Sequence, residues 1–138
     1  MMVWEGMVKD SKTKIAICIK TATEKKASDL VLFRMREISS FTDFFFVCSG
    51  KSDRQVQAIA EAIEVALHRE EVYPLGQEGK AEGRWVLMDY GDVIVHIFLE
   101  PVRAFYDLEG LWIDAPRIDL EKGETLDESS PGPEKRVG

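Results

Sequence analysis

The stretch W-V-L-M-D-Y-G-D-V-I-V-H-I-F, residues 85–98, decides the fold because it predicts two β-strands joined by a tight turn. Tyr90-Gly91 is the expected two-residue turn, since its glycine can adopt a positive φ. That register would place Asp89 opposite Asp92, where like charges destabilise each other unless a cation or water lies between them. The second run is apolar on both faces, so we expect a central strand that is covered on both sides.

The composition indicates one acidic domain. The chain has 138 residues, of which 45% are hydrophobic, and this is enough for one core. Its net charge is −7, and residues 117–138 carry four basic and six acidic side chains, so residues 1–116 hold −5 of that charge. An acidic chain is a poor ligand for phosphate backbones and fits a basic protein partner better. We therefore expect little or no direct nucleic-acid binding.

The two cysteines predict small core residues. Cys18 and Cys48 lie in apolar settings and have no C-x-x-C spacing, so we expect no disulfide and a reducing compartment. The sequence has no apolar run of about 18 residues, as a membrane span requires, and its first residues lack the order of a signal peptide. These patterns predict a soluble, cytoplasmic protein.

The first half of the chain predicts two helices and two strands. Apolar residues at helical spacing predict a helix from Ser11 to Ala27, and strands follow at residues 30–35 and 43–49. Ser52 and Gln55 form a capping box before a second helix. The buried stripe of this helix should contain Val56, Ile59, Ala60, Ile63 and Leu67.

The second half predicts a short strand near Leu75, a loop at residues 78–83, the hairpin and a third helix. Pro101 suits the first turn of that helix. We expect its apolar residues to be Val102, Phe105, Tyr106 and Leu108. Residues 117–138 are rich in polar residues, proline and glycine, and are predicted to form a disordered tail after a domain at residues 1–116. The order α-β-β-α-β-β-β-α predicts a single α/β (α+β-like) domain, with helices packed on a mixed sheet of about five strands.

The candidate catalytic and metal-binding motifs in this sequence lack residues that their chemistry requires. Gly50-Lys51-Ser52 resembles the end of a phosphate-binding loop, but position 45, where that loop needs glycine, is Phe45. His68 falls on the exposed side of the second helix and His96 within the central strand, and neither is near a cysteine. We therefore expect no zinc site, and we interpret His96 as a hydrogen-bonded strand residue.

Asp89 and Asp92 admit three interpretations. Paired carboxylates on adjacent strands can hold Mg²⁺ for phosphoryl or nucleotidyl transfer. They can equally be solvated turn residues, because aspartate is common in turns. The third interpretation is an anionic patch that meets basic residues of a partner, and nearby large aromatic side chains favour it because such residues form binding hot spots. Those aromatic residues are Trp85, Tyr90, Tyr106 and Trp112.

Three motifs in one order carry a resemblance to a known family. They are R-E-I-S-S-F-T-D-F-F-F-V-C-S-G-K-S-D-R-Q-V-Q-A-I-A at residues 36–60, E-G-R-W-V-L-M-D-Y-G-D-V-I-V-H-I-F at residues 82–98, and R-A-F-Y-D-L-E-G-L-W at residues 103–112 followed by D-A-P. The chain resembles the Iojap family of ribosomal silencing factors from residue 11 to about residue 117. The resemblance implies a nucleotidyltransferase-like fold without the catalytic equipment, and no metal or cofactor. It also implies binding to the large ribosomal subunit through ribosomal protein L-fourteen, which hinders joining of the small subunit.

Two hypotheses follow. The first is a non-enzymatic translation repressor, with a homodimer of the free protein as an open alternative, whose partner-binding residues are Trp85, Leu87, Asp89, Tyr90, Asp92, Tyr106, Asp107 and Trp112. Strand alternation puts Trp85, Leu87 and Asp89 on one face, which we expect to dock the partner, and Val86, Met88 and Tyr90 on a core face. The second hypothesis is a metal-dependent nucleotidyltransferase that uses Asp89, Asp92 and the Ser49-Gly50 turn.

Overall fold

The computed structural model describes residues 10–36 and 38–120. The first half of this chain forms α1 (Ser11–Glu24), β1 (Ser28–Arg34), β2 (Phe44–Gly50) and α2 (Asp53–Arg69). The second half forms β3 (Gly76–Glu78), β4 (Trp85–Asp89), β5 (Val93–Leu99), α3 (Glu100–Tyr106), the short helix α4 (Leu108–Leu111) and β6 (Arg117–Asp119). The predicted α/β class and element order are confirmed, and α4 and β6 follow the last predicted helix.

The strands form one mixed sheet of six strands in the order β3-β4-β5-β2-β1-β6. The central pair β2 and β5 is parallel, from Phe44 opposite Val93 to Gly50 opposite Leu99. All other neighbours are antiparallel. The parallel pair arises because α2 carries the chain across the sheet between β2 and the β3–β5 meander, as a parallel connection requires. The predicted central position of residues 93–98 is confirmed.

The two long helices cover one face of the sheet. α2 begins as its sequence predicts, since the Ser52 hydroxyl accepts a hydrogen bond from the Gln55 N–H at 3.1 Å. The Gln55 side chain reaches back to accept from the Lys51 N–H at 2.7 Å, one residue earlier than in a standard capping box. The buried stripe of α2 contains the five predicted residues. Cys18 and Cys48 are free thiols in this same core, and burial raises the pKa of Cys48 to about 12.

The hairpin turn lies one residue later than predicted. Asp89 pairs with Ile94, and the Tyr90 N–H donates to the Val93 carbonyl at 2.9 Å, so Gly91 and Asp92 form the two-residue turn. Gly91 has a φ of 88°, as the first position of a type II′ turn requires. The predicted pairing of Asp89 with Asp92 is therefore wrong. The faces of β4 are as predicted, because Val86 and Met88 are buried against the helices while Trp85 and Leu87 lie on the other face.

The predicted tail boundary at residue 117 is also wrong. Residues 117–119 form β6 on the free edge of β1, where Ile118 lies opposite Leu32. Ile118 and Leu120 are both buried in the helix-side core. The packed region therefore continues to Leu120, and the rest of the predicted tail, residues 121–138, lies outside the described residues.

The third predicted helix ends early. Asp107 has φ 49° and ψ 54°, the left-handed conformation, and closes α3 after seven residues. Aspartate tolerates this conformation better than most residues, so the chain can turn here into α4. Val102 of α3 is buried, whereas Phe105, another apolar residue of this helix, is 80% exposed. Within residues 10–36 and 38–120, no helix combines the length and apolar character that a membrane crossing needs.

Candidate functional site

An aromatic cluster covers the middle of the sheet face that α1 and α2 leave free. We define the aromatic face as Phe45, Trp85, His96, Phe98 and Trp112. The ring centroids of Phe45 and Trp112 are 4.4 Å apart, and those of Trp85 and Phe98 are 4.8 Å apart. Phe45, Trp85 and Trp112 remain partly exposed. This face therefore combines core packing with accessible aromatic surface.

His96 lies at the centre of the aromatic face and is buried. The Trp85 Nε1–H donates to His96 Nδ1 at 3.1 Å, so Nδ1 carries no proton and the neutral ring holds its proton on Nε2. Among the described residues, His96 Nε2 is a buried atom without a hydrogen-bond partner. Burial lowers the pKa of His96 from 6.5 to about 4. The expected strand histidine is confirmed as a neutral residue that fixes the Trp85 ring.

Large apolar side chains next to this face are exposed to solvent. Phe105, Leu111 and Ile113 are 80%, 69% and 78% exposed, and Tyr106 is half exposed. The Tyr106 ring packs on Trp85 with 5.2 Å between centroids, which joins the exposed run to the aromatic face. Asp107 and Asp114 are exposed acidic residues in the same stretch. We call Trp85, Phe105, Tyr106, Asp107, Leu111, Trp112 and Ile113 the aromatic–acidic surface.

The structure brings part of the expected site together. Trp85, Tyr106 and Trp112 contact the aromatic face or each other, Asp107 follows Tyr106 at the α3–α4 junction, and Leu87 lies one step along β4 from Trp85 on the same face. Tyr90 is only 5% exposed and lies in the helix-side core, so little of its side chain is accessible on the surface. Asp89 and Asp92 lie at the far end of the hairpin.

The two hairpin carboxylates already have partners within the chain. Asp92 Oδ1 pairs with Lys14 Nζ of α1 at 2.7 Å, and the same ammonium group donates to the Tyr90 carbonyl at 3.3 Å. Asp89 Oδ1 accepts from the Gly91 N–H at 2.8 Å. The acidic pair therefore closes the turn and anchors α1 to it. These contacts within the chain therefore disfavour the interpretation of Asp89 and Asp92 as an anionic patch for a partner.

The alternative nucleotidyltransferase site is not assembled. Ser49 and Gly50 end β2 beside Phe98 and Leu99, whereas Asp92 lies beside the first residue of β2. Six residues of extended strand separate these ends by roughly 20 Å. The Ser49 hydroxyl is also bound, since Arg103 Nη1 donates to it at 2.7 Å. Across the described residues, no three or more His, Cys, Asp or Glu side chains are grouped so as to hold a metal ion.

Sequence reasoning did not single out Phe105, Leu111 or Ile113 as exposed surface residues. The high density of apolar residues in this segment is the sequence signal for their exposure. Six large apolar residues occupy positions 105–113, which is too many for one buried stripe on so short a helix. The same segment contains Asp107 and Gly110, which interrupt a helix.

The fold and this surface define a small mixed α/β domain that exposes aromatic and acidic side chains on one side of its sheet. Residues 8–137 match the model of the family described as "Ribosomal silencing factor during starvation". The chain belongs to this family, RsfS, and the resemblance to Iojap and ribosomal silencing factors is confirmed.

Three similar proteins illustrate the family. The ribosomal silencing factor RsfS of Bacillus subtilis is 41% identical over 114 residues, which cover 83% of this chain and 97% of that protein. The chloroplastic Iojap protein of Zea mays is 34% identical over 101 residues, covering 73% of this chain and 44% of that protein. A crystal structure from Chromobacterium violaceum superposes with a TM-score of 0.73 at 30% identity, covering 90% of this chain and 96% of the other.

Proposed function

We propose that this ribosomal silencing factor binds the large ribosomal subunit through ribosomal protein L-fourteen, hinders joining of the small subunit and thereby represses translation without catalysing a reaction. The observation that carries the proposal is the aromatic–acidic surface. Three large apolar side chains within nine residues, Phe105, Leu111 and Ile113, are each more than two-thirds exposed. Exposed apolar groups of this density mark a docking surface for a partner.

The chemistry of the surface fits a basic protein. Tyrosine and tryptophan are enriched in the centres of protein interfaces, and here the Tyr106 and Trp85 rings pack against each other beside exposed Asp107. The chain carries a net charge of −7, which attracts a basic partner and speeds its encounter. We therefore place Trp85, Leu87, Tyr106, Asp107 and Trp112 in the proposed interface, and omit Tyr90, Asp89 and Asp92.

Co-sedimentation with isolated ribosomal subunits tests the proposal. The protein should pellet with large subunits and stay in the supernatant with small ones. Tyr106→Ser should raise the Kd for large subunits about thirtyfold, because truncation of a hot-spot aromatic side chain costs about 2 kcal/mol of binding free energy. The matched control is Tyr73→Ser, which alters another exposed tyrosine near the opposite end of the sheet and should pellet like the unmodified chain.

Two outcomes would contradict the proposal. Equal pelleting with both subunits would show that the protein has no preference for the large one. An equal loss of large-subunit binding in the Tyr106 and Tyr73 variants would place the contact outside the aromatic–acidic surface.

Raised salt should slow association with the large subunit, because exposed charges are screened at distances beyond about 8 Å at physiological ionic strength.

A further inference from the structure

Three lysine residues from two separate segments meet at one corner of the domain. Lys25 and Lys26 directly follow α1, and Lys51 lies two residues before α2. The Gln55 side chain joins their backbones. Its Nε2 group donates to the Lys25 and Lys26 carbonyls at 3.1 and 3.0 Å. Its Oε1 accepts from the Lys51 N–H at 2.7 Å. We call Lys25, Lys26 and Lys51 the lysine corner.

The lysine corner is a local excess of positive charge on an acidic chain. All three side chains are exposed, and across residues 10–36 and 38–120 none of them forms an ion pair. Two neighbouring carboxylates are already bound, since Glu24 pairs with Lys20 at 3.7 Å and Glu100 accepts from the Ser28 hydroxyl at 3.0 Å. Asp53, the first residue of α2, offsets one of the three charges. The corner can therefore attract an anionic group although the whole chain is acidic.

The lysine corner borders the helix that carries Tyr106. Arg103 of α3 donates from Nη1 to the Asp29 carbonyl at 2.8 Å and to the Ser49 hydroxyl at 2.7 Å. Asp29 follows the first two lysines by three positions, and Ser49 precedes the third by two. Tyr106 lies about one turn further along the same helix. A partner on the aromatic–acidic surface would therefore lie beside the lysine corner.

We propose that the lysine corner binds the phosphate backbone of ribosomal RNA next to the protein that the aromatic–acidic surface contacts. This inference rests on the proposed function. Lysine ammonium groups bind phosphates without reading the base sequence, and their flexible stems let all three adjust to one backbone. Since the net charge of −7 opposes RNA, free RNA binds weakly. The contact forms when the protein partner holds the corner at a high effective concentration of phosphate.

Salt-dependent binding to isolated large subunits tests the contact. Each phosphate contact contributes about 0.7–0.9 to the slope of log affinity against log salt. A variant with Lys26→Gln and Lys51→Gln should bind more weakly at low salt and have a slope smaller by roughly 1.5. Between about 50 and 200 mM salt, the unmodified chain should then lose about eightfold more affinity than this variant. The matched control, Lys12→Gln with Arg69→Gln, removes two exposed charges at the opposite ends of α1 and α2 and should keep the slope.

A second pair of variants separates the charge from the stability of the fold. Lys26 and Glu71 follow the two long helices with φ values of 64° and 63°, a conformation in which glycine is more stable. Lys26→Gly and Glu71→Gly should each raise the thermal midpoint by roughly 2–5 °C. Only Lys26→Gly should weaken binding to large subunits. Such a loss of binding in a more stable protein could not come from unfolding.

Hydroxyl radicals generated at the corner identify the molecule that it contacts. An iron chelate on Lys51→Cys should cleave ribosomal RNA in the bound large subunit, whereas the same chelate on Arg69→Cys should not. Cys18 and Cys48 are buried, so the chelate attaches at the introduced thiol. Cleavage of a ribosomal protein without cleavage of RNA would overturn the proposal, because the corner would then face protein.

The salt slopes distinguish failure of this contact from failure of the proposed function. Equal slopes for the lysine variant and its control, in a protein whose binding Tyr106→Ser still weakens, would overturn the RNA contact alone. An unmodified chain that does not bind large subunits would overturn both proposals.

Discussion

His96 links the internal packing of the aromatic face to the position of the Trp85 ring. It accepts the Trp85 Nε1–H hydrogen bond and is buried among aromatic rings. Protonation would place a charge in an apolar environment and remove that acceptor at once, which explains why burial lowers the pKa of His96. The neutral form is therefore part of the folded state.

The free energy of unfolding should depend on pH through this one side chain. The folded pKa of about 4 lies below the unfolded value of 6.5, so the unfolded chain binds more protons between these values. The contribution of neutral His96 to the free energy of unfolding is fully present above about pH 6.5 and decreases as the pH falls towards 4. From pH 7 to pH 5 we expect a loss of roughly 2 kcal/mol, measured by urea denaturation.

Two variants isolate the source of that loss. His96→Leu should lose most of the dependence between pH 7 and pH 5, although its stability at pH 7 also changes because Trp85 loses its acceptor. His68→Gln changes the exposed histidine of α2 and should keep the dependence. An unchanged slope in His96→Leu would assign the pH effect to other groups.

At the scale of elements, the sequence predicts most reliably those helices and strands whose apolar pattern extends over many residues. α2 has five buried positions at helical spacing and a serine cap, and it was predicted with its whole buried stripe. β5 was predicted as the central strand because it is apolar on both faces. The hairpin register was wrong by one residue because Tyr90-Gly91 and Gly91-Asp92 are both plausible turns by composition. Glycine at the first position of the turn favours the observed Gly91-Asp92 register, and Lys14, 78 residues away in the sequence, binds Asp92 in that turn.

β6 was missed because its pattern is short. Ile118 and Leu120 alternate with polar residues over only four positions, and proline, glycine and acidic residues follow. Its stability comes from β1, since the Arg34 N–H donates to the Pro116 carbonyl at 2.8 Å and the Leu120 N–H to the Leu30 carbonyl at 2.9 Å. Pairing with a distant strand has no local sequence signature, so polar composition suggested a tail.

Truncations on either side of β6 test its contribution. A chain that ends at Leu120 should melt close to the full chain, whereas one that ends at Pro116 exposes the sites of Ile118 and Leu120 and should lose roughly 3 kcal/mol or more. For a domain of this size, that loss corresponds to about 10 °C in the thermal midpoint. A chain that ends at Ile118 should lie between them. Identical midpoints for the Pro116 and Leu120 ends would show that β6 adds no stability.

At the scale of the whole molecule, the two faces of the sheet have different roles. One face is sealed by α1 and α2 over a continuous core. The other face packs aromatic rings but leaves Trp85 and Trp112 partly exposed, beside the exposed apolar residues Phe105, Leu111 and Ile113. The sequence identified Trp85, Tyr106 and Trp112 as a candidate site, whereas the exposure of Leu111 and Ile113 depends on the left-handed turn at Asp107. A partner bound to this side could contact the domain without disturbing the helix-covered core.

The measurement that tests the proposed function most directly is subunit joining followed by light scattering, with the protein bound to large subunits before small subunits are added. We predict that the unmodified protein reduces the rate and extent of joining in proportion to the large subunits it occupies. Tyr73→Ser should act like the unmodified chain, and Tyr106→Ser should restore joining at the same protein concentration. Normal joining by large subunits that carry the unmodified protein, as shown by co-sedimentation, would contradict the proposed function.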